Sequence, residues 1–263
     1  MRIILFLLFI GFHFASWSQN YIYPNDTKIS DSKGITKKAG TLYFPANMFV
    51  ETIKQECLRD IRKVKSIPFG SSIPKDSVES YDSIYTKVDK IDLDRFSKFL
   101  YSSNEPILYN YYLGEEIYRL TWHRSFHPDI VIRIIKQKNG VLMICKKISG
   151  FLTDNIYEND KQGKLIKVWR SKPKFERDTI LHLDKAVFNN FEKIVKKNNF
   201  IKIPNKQYEG IVCDGSEWIL EMHKPNSYWV VNRWSPNHSN NPDLRELCDY
   251  LIDNSIFKNE DRY

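Results

Sequence analysis

The chain has 263 residues, 42% hydrophobic and 27% charged, with ten glycines, eleven prolines and four cysteines. This mixture excludes a disordered or low-complexity chain and a dense disulfide scaffold, and it suits one sizeable folded domain or one domain with an appendage. The formal charge of +8 admits anionic partners, but the cations are mostly Lys scattered among Asp and Glu, so charge alone marks no binding patch and nucleic acid is not an expected partner.

Residues Met1 to Ser18 read as a signal peptide. Arg2 supplies the positive start, Ile3 to Phe14 form the apolar stretch, and the small residues Ser16 and Ser18 suit cleavage. The stretch is too short for a comfortable membrane span, and no second long apolar run follows. Cleavage leaves a charge of 8 − 1 = +7, since only Arg2 is lost. The expectation is an exported protein, periplasmic or extracellular, with no transmembrane segment after processing.

Residues 19–85 read as an N-terminal lead-in, a helix and a linker. Asn20 to Gly40 is polar and rich in turn formers, which suggests an extended or mobile segment. From Pro45 to Lys65, Phe49, Ile53, Cys57, Ile61 and Val64 recur at helical spacings. Pro68, Gly70 and Pro74 then break the pattern, so Ser66 to Ser83 reads as a linker.

Residues 86–263 read as the main domain. Asp92 is a plausible cap for a short helix carrying Leu93, Phe96 and Leu100 on one face. Three strand-like runs follow, Glu116–Arg124, Asp129–Lys138 and Val141–Ser149, the last two joined by Asn139-Gly140, a strong hairpin signal. Lys164–Arg170 and Thr179–Leu183 are two further strands. Asp184 caps a helix to about Asn198 whose stripe is Val187, Phe188, Phe191, Ile194 and Val195. A last helix starts at Pro242, in the favoured first-turn position after Asn241, and carries Leu244, Leu247, Cys248, Leu251 and Ile252. The pattern predicts an α+β fold, a mainly antiparallel sheet with helices packed on one face.

Between those helices runs Cys213 to Pro236, two strand-length runs joined by Lys224-Pro225-Asn226-Ser227. Trp218, Leu220 and Met222 share one face of the first run, with Glu217, Ile219, Glu221 and His223 on the other. In the second, Trp229, Val231 and Arg233 oppose Tyr228, Val230, Asn232 and Trp234. If Lys224 pairs with Ser227, Trp218 falls opposite Arg233, which permits a cation–π contact. A one-residue slip would bring Arg233 against Glu217 or Ile219 instead.

Three segments resemble a family of uncharacterised exported bacterial proteins. They are Tyr118 to His127 with its W-x-R-S/T-F-H element (Trp122-His123-Arg124-Ser125-Phe126-His127), Cys213 to Glu221 with D-G-x-x-W-x-L-E, and Tyr228 to Pro236 with Y-x-V-V-x-R-W-S-P. The likeness spans roughly Glu116 to Ile256. It implies export but no activity.

Candidate chemistry is sparse. His123 and His127 form an H-x-x-x-H, but on a strand four residues span about 13 Å, too far for one metal ion, and no metal site or cofactor is expected. Glu217 and Glu221 are separated by the same spacing, too wide for a carboxylate pair in glycoside hydrolysis. Asp214 suits a turn whose side chain bonds the backbone two residues on. Ser216 lacks a nucleophile elbow, and no Gly-rich phosphate loop exists. Trp169, Trp218, Trp229 and Trp234 could stack on carbohydrate or pack a core. Of the cysteines Cys57, Cys145, Cys213 and Cys248, the pair Cys213 and Cys248 is best placed for a disulfide if the last helix lies beside the hairpin. Candidate binding residues are His123, Arg124, His127, Asp214, Glu217, Trp218, Arg233 and Trp234. They suggest a non-enzymatic module of the cell envelope that binds a ligand or partner, such as an envelope protein or glycan. An envelope hydrolase acting on glycans or peptides is the alternative. A third reading is an anionic-polymer binder, which would need Lys147, Lys164, Lys167, Lys172 and Lys174 on one face.

Overall fold

The computed structural model describes residues 21–54, 84–88, 90–149, 156–159, 162, 165–168, 174–206 and 214–263. Its centre is a six-stranded antiparallel sheet in the order β10-β9-β3-β4-β5-β8. The strands are β3 (Glu116–Arg124), β4 (Asp129–Gln137), β5 (Gly140–Ser149), β8 (Lys174–Leu183), β9 (Ser216–Lys224) and β10 (Ser227–Trp234). Two small antiparallel pairs stand apart from it, β1 (Val50–Lys54) with β2 (Ile84–Val88) and β6 (Ile156–Asn159) with β7 (Leu165–Val168). The helices are α1 (Lys90–Ser102), α2 (Lys185–Lys197) and α3 (Pro242–Asp253).

Local chemistry explains most of these elements. Asp184 caps α2, its side chain accepting from the Ala186 amide at 2.6 Å, and Phe188, Phe191 and Val195 are the buried stripe. Asn139-Gly140 turns β4 into β5, with Gln137 opposite Gly140. The β9–β10 register is Lys224 against Ser227, which sets Trp218 opposite Arg233, the first of the registers that the sequence leaves open.

The helix expected over Pro45–Lys65 is not formed in its described part. Ala46–Met48 is a single 3-10 turn, and Val50–Lys54 is a strand paired with β2. A spacing of four residues fits a strand face as well as a helix face, and pairing with a distant strand decided between them. Residues 55–83 of that helix and linker lie outside the described residues. Helix α1 begins at Lys90 rather than after Asp92, which sits in its first turn.

One face of the sheet carries Tyr118, Leu120, Trp122, Met143, Trp218, Leu220 and Met222 and is covered by α2 and α3 through Phe188, Phe191, Leu247 and Leu251. The opposite face is also buried. Helix α1 lies over it with Leu93, Phe96, Phe99 and Leu100, together with Tyr23, Tyr43, Phe44 and Phe49 from the N-terminal segment. Tyr23, Tyr43, Phe44, Met48 and Phe49 of the N-terminal segment are therefore part of the core, although Asn20 to Gly40 reads in sequence as an extended or mobile lead-in. Several backbone bonds hold the segment down: Tyr21 N to Asn226 O at 3.0 Å, Asn25 N to Asn110 O at 2.8 Å and Ile107 N to Gly34 O at 2.8 Å. Gly34 has φ +76, and a Cβ there would stand 2.7 Å from the Ile107 carbonyl oxygen, so the close approach requires glycine. Covering both faces removes the alternation of buried and wet residues expected of the hairpin. Every residue of β9 from Ser216 to His223 is buried.

Candidate functional site

The second face of the sheet holds a ladder of charge. Arg119 on β3 stands opposite Glu221 on β9 and Arg133 on β4. Its Nε donates to Glu221 Oε2 at 2.6 Å, and its Nη1 reaches the Pro106 carbonyl at 2.7 Å and Glu105 Oε2 at 3.5 Å. Lys146 closes the other end, donating to Glu105 Oε1 at 2.6 Å and to the Ser103 carbonyl at 2.7 Å. Tyr228 donates to Glu221 Oε1 at 2.9 Å. Burial alone would push the Glu105 carboxyl up, but Arg133, Lys146 and Arg119 together outweigh it and hold the group below the ordinary range. Glu221 is raised, because burial outweighs its single cation, Arg119. Each charge here is paired, the condition under which charges are tolerated in an interior.

Beside this ladder lies His223, between Tyr23 and Tyr112. Its Nε2 accepts from the Leu113 amide at 3.1 Å and its Nδ1 donates to the Leu108 carbonyl at 2.6 Å. That arrangement suits only the neutral ring. Burial, aided by Arg119 and against the Leu108 bond, lowers the ring to about 4.

At the far end of the same face, His123 and Glu217 are direct cross-strand partners. Glu217 is bound by Arg95 of α1 and accepts from Asn232 Nδ2 at 2.7 Å. Arg95 also meets Asp92 at 2.7 Å, and Lys206 meets Asp92 at 2.9 Å. Burial raises the Glu217 carboxyl despite Arg95. His123 stacks on Phe96 at 4.8 Å and meets Phe99 edge-on at 4.4 Å, with Asp129 Oδ2 at 3.1 Å from its Nδ1. Among the described residues, the buried side-chain polar atoms on this face without a hydrogen-bond partner are Arg95 Nε, Arg119 Nη2, Thr121 Oγ1, His123 Nε2, Arg133 Nε and Asn232 Oδ1.

The remaining candidates are dispersed. His127 is exposed and meets the Tyr263 hydroxyl at 2.8 Å, with no route to His123. Among the described residues no group of three or more His, Cys, Asp or Glu is placed to hold a metal ion. Arg124 lies over Trp122 at 4.9 Å, donates to the Pro128 carbonyl and pairs with Glu260 at 2.7 Å, an acid that also holds Lys147 at 2.6 Å. Asp214 is exposed, and the Ser216 amide expected to receive its side chain donates instead to Ser235 Oγ at 3.0 Å. Gly215, at φ +146, is pressed so closely to Trp234 and Ser235 that a Cβ would lie 2.8 Å from the indole nitrogen. Trp218 is fully buried, and Trp229 donates to the Ile203 carbonyl at 2.9 Å. Trp169 and Cys213 lie outside the described residues. Cys248 is a free, buried thiol.

Arg233 lines an open cleft. Its Nε donates to Asn241 Oδ1 at 2.9 Å, and its Nη atoms reach the carbonyls of Asn232 at 2.7 Å and Pro204 at 2.9 Å. Asn241, at the N-cap position of α3, makes no side-chain cap bond. The cleft has a volume of about 430 Å³, and its polar border is Asn198, Asn199, Lys202, Arg233, Asn240, Asn241 and Asp243. The sequence reading missed this amide-rich wall because its residues come from two loops far apart in the chain. It also missed Arg119 and Arg95, although a charged residue in the middle of an apolar strand, as Arg119 is, signals a buried partner.

No family model matches the chain, and no curated protein matches it. Among the described residues no helix is long and apolar enough to cross a membrane.

Proposed function

We propose that the protein is an exported, ligand-binding module of the cell envelope, and that its ligand sits in the cleft beside Arg233. The observation that carries this reading is the wall itself. Asn198, Asn199, Asn240 and Asn241 stand with Lys202, Arg233 and Asp243 around one opening of about 430 Å³. Amides both donate and accept, which suits hydroxyl-rich ligands, and Lys202 adds attraction for a carboxylate or phosphate. The ligand class is an acidic or phosphorylated sugar.

The hydrolase alternative would rely on His123 and Glu217, a His–carboxylate pair that the sheet sets side by side. Glu217 is tied to Arg95 and Asn232, and His123 lies against two phenylalanine rings. That arrangement favours binding over hydrolysis, because a general base must reach its proton. The anionic-polymer reading draws less support, since Lys147 is paired with Glu260.

Calorimetric titration of the mature protein with uronic acids, phosphorylated sugars and neutral sugars tests the proposal. Saturable binding of an acidic sugar, weakened at least tenfold by Lys202→Ala or Asn240→Ala at unchanged thermal stability, is the expected result. Absence of binding across the panel overturns the cleft assignment. Export is tested apart from it: material outside the cytoplasm should begin near Gln19, and an intact Met1 there contradicts it.

A further inference from the structure

The two edges of the central sheet are treated differently. Along β10 the edge is occupied: the Asn232 amide donates to the Asn205 carbonyl at 2.7 Å, Asn205 Nδ2 donates to the Val230 carbonyl at 2.7 Å, and Lys206 bridges to Asn232. At the other edge β8 pairs with β5 on one side, and among the described residues nothing pairs its other side. It is ten residues long, and all of them are exposed or half-buried. Such an edge presents a row of free amides and carbonyls that can accept another strand.

Charges often protect an edge of this kind, but here they cluster at one end. Lys174, Glu176, Arg177 and Asp178 occupy the first half, whereas Thr179 to Leu183 carries only His182 as a titratable group. In that second half Ile180 is 57% exposed. Its cross-strand neighbour Ile144 is half-buried, as is the adjacent Leu142, which stands opposite His182. An apolar strip therefore runs out to the edge and stops at Ile180.

We propose that this edge pairs antiparallel with the same edge of a second copy of the chain, joining two six-stranded sheets across a two-fold axis at Ile180. The register follows from symmetry and side-chain alternation. A two-fold axis perpendicular to the sheet keeps each residue on its own face, so the strand must be centred on a residue rather than between two. Centring on Ile180 sets it against its own copy and covers the exposed end of the strip. The same register puts Asp178 opposite His182 of the copy, twice, on one face, and Thr179 opposite Leu181 on the other. Centring on Asp178 would oppose two carboxylates, which is unfavourable. The choice of a second copy rests on this complementarity. The contact is narrow, so the dimer is a weak one that forms in the micromolar range or above.

Sedimentation equilibrium of the mature chain at concentrations up to about 1 mM tests this. The expected result is a monomer–dimer equilibrium that Ile180→Lys weakens at least tenfold, because two ammonium groups would then meet at the axis. The control Ile22→Lys, at a residue 86% exposed on the N-terminal segment, should leave association unchanged. Should Ile180→Lys fold poorly, amide exchange of the unaltered chain decides the matter, with β8 amides protected at least tenfold more at high than at low concentration. A monomer at every concentration, a dimer indifferent to Ile180→Lys, or β8 exchange independent of concentration would each overturn the proposal.

Discussion

Trp218 and Arg233 stand directly opposite each other across the β9–β10 hairpin, yet the cation lying over the Trp218 ring is Arg245 of α3, at 4.7 Å. Arg233 spends its guanidinium on carbonyls and on Asn241. The exchange has a physical basis. Arg245 approaches the indole from the covering helix, whereas the planar fork of Arg233 donates to the carbonyl oxygens of Asn232 and Pro204.

Arg233 is therefore expected to tie the hairpin to the start of α3. Arg233→Ala should destabilise the domain by about 1–3 kcal/mol, and Arg233→Lys should recover little, because an ammonium cannot reproduce the fork. Urea denaturation reads both. A midpoint unchanged by Arg233→Ala would show that these bonds contribute nothing net.

The buried carboxylate Glu105 holds Lys146 and meets Arg119 and Arg133. Glu105→Gln leaves three cations around a neutral group and should cost about 3–5 kcal/mol, the usual penalty for breaking a buried pair from one side. Adding Lys146→Met should recover part of that loss, since it removes one stranded charge. In a double-mutant cycle the two effects must fail to add; simple additivity would mean that the ladder does not act as a unit.

His223 gives stability a definite acid limb. Its folded value of about 4 lies below the ordinary 6.5, so folding favours the neutral ring. The unfolded state binds the extra proton between those values, and stability is complete above about 6.5 and declines as pH falls toward 4, by about 3 kcal/mol in all. His223→Phe should flatten that part of the curve of stability against pH. A variant curve parallel to the parent's between pH 7 and 4 would assign the limb to other groups.

Burial raises the Cys145 thiol to about 11 and the Cys248 thiol well above its ordinary value. Both should resist alkylation in the native protein and react fully once it is unfolded. Peptide mapping distinguishes them from Cys57 and Cys213. Rapid native labelling of either thiol would contradict the burial, and a non-reducing map joining Cys248 to Cys213 would contradict its being free.

The sequence by itself determined the parts whose physics is local. The stripe of α2 with its Asp184 cap, Pro242 at the start of α3 and the Asn139-Gly140 turn all act within a few residues. The faces of β9 follow from alternation in the same way, whereas the hairpin register, open in the sequence, was decided by the pairing of Lys224 with Ser227. Only the tertiary structure decided what lies above those faces. Glu217, Glu221 and His223 sit on one face by alternation. Whether that face is wet or buried depends on α1 and on Tyr23, Tyr43 and Phe44, which arrive from the opposite end of the chain. Arg95 meets Glu217 across 122 residues, and Arg119 meets Glu221 across 102. No period or turn signal carries such pairings. A charge is tolerable in the interior only once the fold has brought its counter-charge to it, so these residues acquired their role from where distant segments came to rest. The same holds for Val50–Lys54, which left a helical pattern once β2 offered a partner.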